Sequence, residues 1–115
     1  MYKDIKFQYN LLKIATCPAF YGEKIYFNSH GFNHLIRKGR TPRKPGDVQR
    51  RLFLLKYVET IIKTCGYYSE YKFVMKNNIK IRFWSLVKVI NSRTVTVIIR
   101  QIQDGRKHFY SIFDR

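Results

Sequence analysis

Three turn signals cut the second half of this chain into segments that suit β-strands better than anything else. Residues 71–76, 79–90, 94–102 and 106–113 are rich in Val, Ile, Thr and aromatic side chains, which fit a pleated, half-buried surface. Ile79, Ile81 and Phe83 alternate with other residues, the period of a strand with one buried face. Asn77-Asn78, Asn91-Ser92 and Asp104-Gly105 stand between the segments, and Asp-Gly is a strong hairpin signal. Everything after Tyr67 therefore reads as an antiparallel meander.

The first half has a different period. Val48, Leu52, Leu55, Val58, Ile62 and Cys65 step by four and three residues, the spacing of one buried helical stripe. This predicts a long helix capped by Asp47 and ended by Gly66. A shorter helix is predicted before it. Asn28 or Ser29 serves as N-cap, since a side-chain oxygen there can accept an orphan amide of the first turn. Phe32, Leu35 and Ile36 follow at helical spacing, and Gly39 stops the helix in a left-handed conformation. Residues 24–27 are a short β-rich segment, residues 17–22 a loop, and residues 40–46 a basic, proline-bearing loop. Residues 5–15 stay open between strand and short helix. With helices first and the meander last, the expected class is α+β, with N-terminal helices packed on a C-terminal antiparallel sheet. At 115 residues, positions 1–115 form a single domain.

Charge narrows the function. Lys and Arg number 23 against 7 acids, for a formal net charge of +16. Such self-repulsion destabilises the compact state and points to a polyanionic partner, with RNA the leading choice. No apolar run reaches membrane-spanning length and no basic amphipathic anchor stands out, so no membrane partner is expected. Residues 1–5 lack a signal peptide's apolar stretch, which gives a cytoplasmic address by default. Cys17 and Cys65 form no CxxC pair. A disulfide between them is one option, and two small buried thiols in a reducing compartment are the favoured one.

The segment Asn28-Ser29-His30-Gly31-Phe32-Asn33-His34-Leu35-Ile36-Arg37-Lys38 places two imidazoles beside cations. His30 and His34, four residues apart, can share one helical face. They could hold zinc as a pair, but the HExxH glutamate is absent; no metal and no cofactor is expected.

Phe27-Asn28-Ser29-His30-Gly31-Phe32-Asn33-His34-Leu35-Ile36 and Lys107-His108-Phe109-Tyr110-Ser111-Ile112-Phe113, together with the element order over residues 24–115, resemble the barnase-like ribonuclease toxins. That superfamily includes barnase, the colicin-type transfer-RNA ribonucleases and the RelE-like toxins, and the resemblance is to its phage and mobile-element members. It implies metal-independent RNA cleavage, in which the ribose 2′-hydroxyl attacks phosphorus to leave a 2′,3′-cyclic phosphate and a 5′-hydroxyl. It also implies a substrate in the translation machinery, a prokaryotic or phage setting, delivery as a toxin domain in some members, and an acidic antitoxin or immunity protein that the net charge would attract.

Such a reaction needs a base, an acid and cations around the phosphoryl oxygens. His34 is the first candidate for proton transfer, because the resemblance passes through it; for His30 a capping or packing role weighs as much as catalysis. Arg50 and Arg51 open the second helix, where a guanidinium can join free amides in a phosphate seat, against the alternative of two solvated arginines. Arg100, His108 and Tyr110 are strand candidates. Simple alternation turns Phe109, Ser111 and Phe113 to the core and His108, Tyr110 and Ile112 outward. That argues against Ser111, which only the resemblance retains as a phosphate contact; His108 is the alternative acid. Arg37, Lys38, Arg40, Arg43 and Lys44 are expected on the RNA backbone. Tyr67, Tyr68 and Tyr71 either stack bases or enter the core. A non-catalytic nucleic-acid-binding domain shares every charge argument, and an interaction protein of a virus or mobile element is a third reading.

Overall fold

Two short strands on the N-terminal side join the sheet that the C-terminal half builds. The computed structural model describes Lys6, residues 9–38 and residues 40–114. Strands β1 (Ile14–Cys17) and β2 (Glu23–Tyr26) pair antiparallel. They are linked by a 3-10 turn over Pro18–Phe20 that closes on Tyr21 and Gly22, with φ of 57° and 82°. Helix α1 (Ser29–Ile36) begins where the Asn28 side chain accepts the Gly31 amide at 3.1 Å, as the capping signal predicts. Position 39, expected to stop it, lies outside the described residues. The chain leaves α1 in extended conformation at Arg37 and forms a small ribbon of β3 (Arg37–Lys38) and β4 (Thr41–Pro42).

Helix α2 (Pro45–Leu54) follows, then a 3-10 turn over Leu55–Tyr57, then α3 (Val58–Thr64). The stripe thus predicts the right buried residues but not one continuous helix. Leu54 and Leu55 are adjacent and both buried, at 0% and 5% exposure. Adjacent residues on a regular helix point about 100° apart, so a tighter turn at this place lets the stripe change direction and keep both inside. Pro45 takes the first helical position, where its missing amide costs nothing. Lys44 is therefore the N-cap, and Asp47 is not the cap but a first-turn acid with ion pairs of its own. The helix also ends one residue early, with Cys65 rather than Gly66 at its C-cap.

Strands β5 (Glu70–Lys76), β6 (Ile79–Ile90), β7 (Arg93–Ile102) and β8 (His108–Asp114) form the expected meander. Asn77-Asn78 and Asn91-Ser92 all have positive φ, between 50° and 64°, the conformation of hairpin turns that match strand twist. The sheet is six-stranded with order β1-β2-β8-β7-β6-β5, and β2 runs parallel to β8 through the Tyr26–His108 pair. This corrects the expected class. The sheet is mixed, its first two strands come from the N-terminal side, and the α2–α3 stretch lies mid-chain. The cause is that Ala15, Cys17 and Ile25 are apolar positions needing burial, and β8 would otherwise be an open edge of unpaired amides.

The core joins Leu52, Leu55, Val58, Ile61 and Ile62 of the helical stretch to Trp84, Leu86, Val95, Val97, Ile99 and Ile112 of the sheet. Cys17 and Cys65 are free and buried. No helix among the described residues is long and apolar enough to cross a membrane.

Candidate active site

Helix α1 lies close on β8 because residue 31 has no side chain. A Cβ at Gly31 would sit 2.5 Å from the Phe109 carbonyl oxygen and 2.6 Å from the Tyr9 hydroxyl, distances that only glycine avoids. Tyr9 donates to the Asn28 carbonyl at 2.7 Å and holds the start of the helix. One turn further on, the His34 ring covers Tyr110, with centroids 4.0 Å apart and planes at 34°.

A β-bulge aims the β8 side of the site. Ile98 pairs with Ser111 but Ile99 pairs with Phe109, so Tyr110 is the extra residue. A bulge breaks strict alternation. Beyond it Ile112, not Ser111, enters the core with Phe109, while Ser111 and His108 lie on the side of Ile98 and Arg100, their register partners. The expected split of His108 and Tyr110 from Ser111 is therefore overturned. A period-2 reading cannot anticipate an inserted residue.

Each of these residues meets an arginine. Nε of Arg100 donates to Nε2 of His108 at 2.9 Å, and its guanidinium lies 4.5 Å from the Tyr110 ring centroid. Nη1 of Arg51 donates to the Ser111 hydroxyl at 2.8 Å and to the Ile112 carbonyl at 3.1 Å. Nε of Arg43 donates to the His34 carbonyl at 2.9 Å. Its Nη2 lies 3.4 Å from Nδ1 and 3.5 Å from Nε2 of His34. The two ring nitrogens point apart, so a donor nearly equidistant from both aligns with neither lone pair. That contact is a cation held against an imidazole rather than a formed hydrogen bond. Asp47 ties two guanidinia together, accepting from Arg43 at 3.3 Å and from Arg51 at 3.1 Å.

The electrostatics follow from this crowding. His34 is pushed down to about 4, first by burial and then by Arg43, Arg51, Arg100 and Lys38. His108 is likewise pushed down to about 4 by burial and by Arg100. Arg51 and Arg100 are themselves lowered, chiefly by burial. Both imidazoles are thus neutral at pH 7, and the burial and cations that keep His34 neutral also make it a weaker base than a free imidazole.

The cluster opens into a groove of about 360 Å³ lined by His30, Asn33, His34, Arg37, Arg100 and Tyr110. Among the expected residues, His30, His34, Arg37, Arg43, Arg51, Arg100 and Tyr110 meet at or beside it. Ser111 and His108 are 3% and 5% exposed, are hydrogen-bonded to Arg51 and Arg100, and do not line the groove. Arg50 is elsewhere, donating to Asp114 at 2.6 Å. Neither it nor Arg51 opens α2, because the helix begins at Pro45; the expected amide seat does not form around them. Lys38, Arg40 and Lys44 are exposed nearby in sequence, on β3, the following turn and the cap of α2. Tyr67, Tyr68 and Tyr71 are all exposed, so none is a core residue, although Tyr68 stacks on Phe20 and Tyr71 packs on Trp84.

Sequence reasoning missed Asn33, Asp47 and Phe83, which meets Tyr110 edge-on at 5.3 Å. Asp47 could have been found, since it lies four residues from both Arg43 and Arg51. Phe83 carries no such signal. Among the described residues no three His, Cys, Asp or Glu side chains converge as metal ligands. The chain matches no protein-family model, no curated protein and no solved structure.

Proposed function

We propose that this protein is a metal-independent endoribonuclease that cleaves by attack of the ribose 2′-hydroxyl on the adjacent phosphorus. The observation that carries the reading is a neutral imidazole, His34, in contact with Arg43 and facing a groove that Arg37 and Arg100 also line. A scissile phosphate drawn to these guanidinia would place its ribose against His34. His34 takes the 2′-proton as the O2′–P bond forms, and the arginines balance the charge growing on the phosphoryl oxygens. The P–O5′ bond then breaks, and the leaving oxygen takes a proton from His30, the exposed imidazole of the same groove.

The likeness to barnase-like toxins supports this through two local segments, no longer through element order. Substrate in the translation machinery and an acidic antitoxin remain part of the proposal on that likeness. The rival reading is a non-catalytic RNA-binding surface; it is favoured by the burial of His108, which leaves His30 as the only other imidazole among the described residues of the groove.

The deciding experiment incubates the protein with total RNA in EDTA and maps the ends. Cleavage to 2′,3′-cyclic phosphate and 5′-hydroxyl ends, lost in His34→Ala while RNA binding persists, is the expected result. Intact RNA, or cutting only after a metal is added, overturns the mechanism.

A further inference from the structure

A concavity of about 930 Å³ lies on the sheet face beside the proposed cleavage site. Phe83, Ser85, Thr94, Thr96, Ile98 and Phe113 line it. It is continuous with the catalytic cluster through two residues. Phe83 touches Tyr110, and Ile98 is the register partner of Ser111, which holds Arg51. Neighbouring strands are about 4.8 Å apart, so the groove begins one strand from the arginines.

Its floor carries an unpartnered polar group. Thr96 is 2% exposed, and its hydroxyl has no hydrogen-bond partner among the described residues. Its register neighbours are Val87 and Phe113, neither of which offers a side-chain partner. A buried hydroxyl without a partner costs about 1–3 kcal/mol. An apolar occupant would leave that cost in place. The hydroxyl is closed off from solvent in this rotamer, so a turn of the Thr96 side chain about χ1 is needed to present it to the groove. An occupant with both a flat apolar face and hydrogen-bonding edges would then remove the cost, and a nucleobase has both. Phe83, Phe113 and the 74%-exposed Tyr67 supply rings. Ser85, Thr94 and Thr96 supply hydroxyls, and Lys72 and Lys88 supply cations for the strand's phosphates. Glu70, the one carboxylate among the described lining residues, accepts hydrogen bonds only, which favours a base with an exocyclic amino group over uracil.

The geometry points to a nucleobase-recognition site in this groove, seating an amino-bearing base of the strand whose phosphate lies at His34. This rests on the ribonuclease reading, so the test separates the two. Uncleavable 2′-deoxy tetranucleotides, with each base in turn or an abasic residue at one position, are titrated into the full chain and followed by amide chemical shifts and fluorescence anisotropy. The expected result is base-dependent movement of the Ser85, Thr96 and Ile98 amides. Thr96→Val, isosteric and free of the orphan hydroxyl, should fold at least as stably and weaken the preferred base by about five- to tenfold, one neutral hydrogen bond. It should leave the abasic strand unaffected. Val87→Trp, which fills the groove, should abolish the base dependence.

Equal affinity for base and abasic strands overturns the groove proposal even if RNA is cleaved. So does full base preference in both variants. Base-dependent binding of these strands, with total RNA left intact in the EDTA assay, overturns the catalytic reading and leaves the groove standing.

Discussion

Arg100 donates its Nε hydrogen to Nε2 of His108 at 2.9 Å. Arginine has no acceptor to offer, so His108 must present a lone pair at Nε2 and carry its proton on Nδ1. That fixes a neutral tautomer inside the sheet and aims Arg100 at the Tyr110 ring and the groove. His108 is thus a positioning residue. His108→Ala should lower kcat by roughly 10- to 100-fold, as outer-shell partners do, with little change in binding. His108→Gln, whose amide oxygen can accept the same bond, should recover part of it. Steady-state cleavage of one defined RNA distinguishes the outcomes; equal kcat in His108→Ala and wild type would contradict the role.

Both depressed histidines make stability depend on pH. Their folded pKa values, about 4, lie below the ordinary histidine value near 6.5. Between those limits the unfolded chain binds protons that the native chain excludes. Stability should therefore be fully present above about pH 6.5 and fall as the pH drops toward 4, by up to about 3 kcal/mol for each ring. Urea unfolding across this range tests the slope. His34→Gln should remove about one proton's worth of it, and an unchanged slope would mean His34 is not the group excluded.

Gly31 sets the distance between α1 and β8. Gly31→Ala puts a methyl group into the Phe109 backbone and the Tyr9 hydroxyl, so the helix must retreat. A loss of about 1–3 kcal/mol is expected, the usual scale for overpacking, together with weaker His34–Tyr110 ring-current shifts. Gly46→Ala, where the added atom meets nothing within 4 Å, is the control and should be near neutral.

Asp47 offsets the repulsion between Arg43 and Arg51. Its side chain is 40% exposed, so Asp47→Asn should cost only about 1 kcal/mol. The more informative sign is in anions. Phosphate should stabilise the variant more than the wild type, because the two guanidinia then lack their internal counterion. Thermal melts with and without phosphate measure this, and identical phosphate effects would contradict it.

RNA affinity should fall steeply with salt. Replacing Arg37, Lys38, Arg40 or Lys44 singly with Gln should reduce the slope of log K against log salt by roughly 0.7 for each single-strand phosphate left without its cation. Arg50→Gln should leave the slope unchanged, since Arg50 is paired with Asp114. Equal effects at all five positions would mean that binding is not localised on the His34 side.

The turn pairs Asn77-Asn78 and Asn91-Ser92, the cap at Asn28 and the buried stripe from Leu52 to Cys65 were legible in the chain, because each depends on neighbours within about one helical turn or one hairpin. Asp104-Gly105 marked a break, but the connection runs over residues 103–107 with its positive φ at Gln103. The basic charge and the imidazole pair were legible for the same reason. What the tertiary structure alone decided was where those groups meet. One extra residue at Tyr110 turned Ser111 away from the core, and β1 and β2 closed onto β8 and made the sheet mixed. The bare backbone of Gly31 let His34 descend onto Tyr110. Each of these depends on partners distant in sequence, and no local period encodes which partner a strand edge or a bulged residue will find.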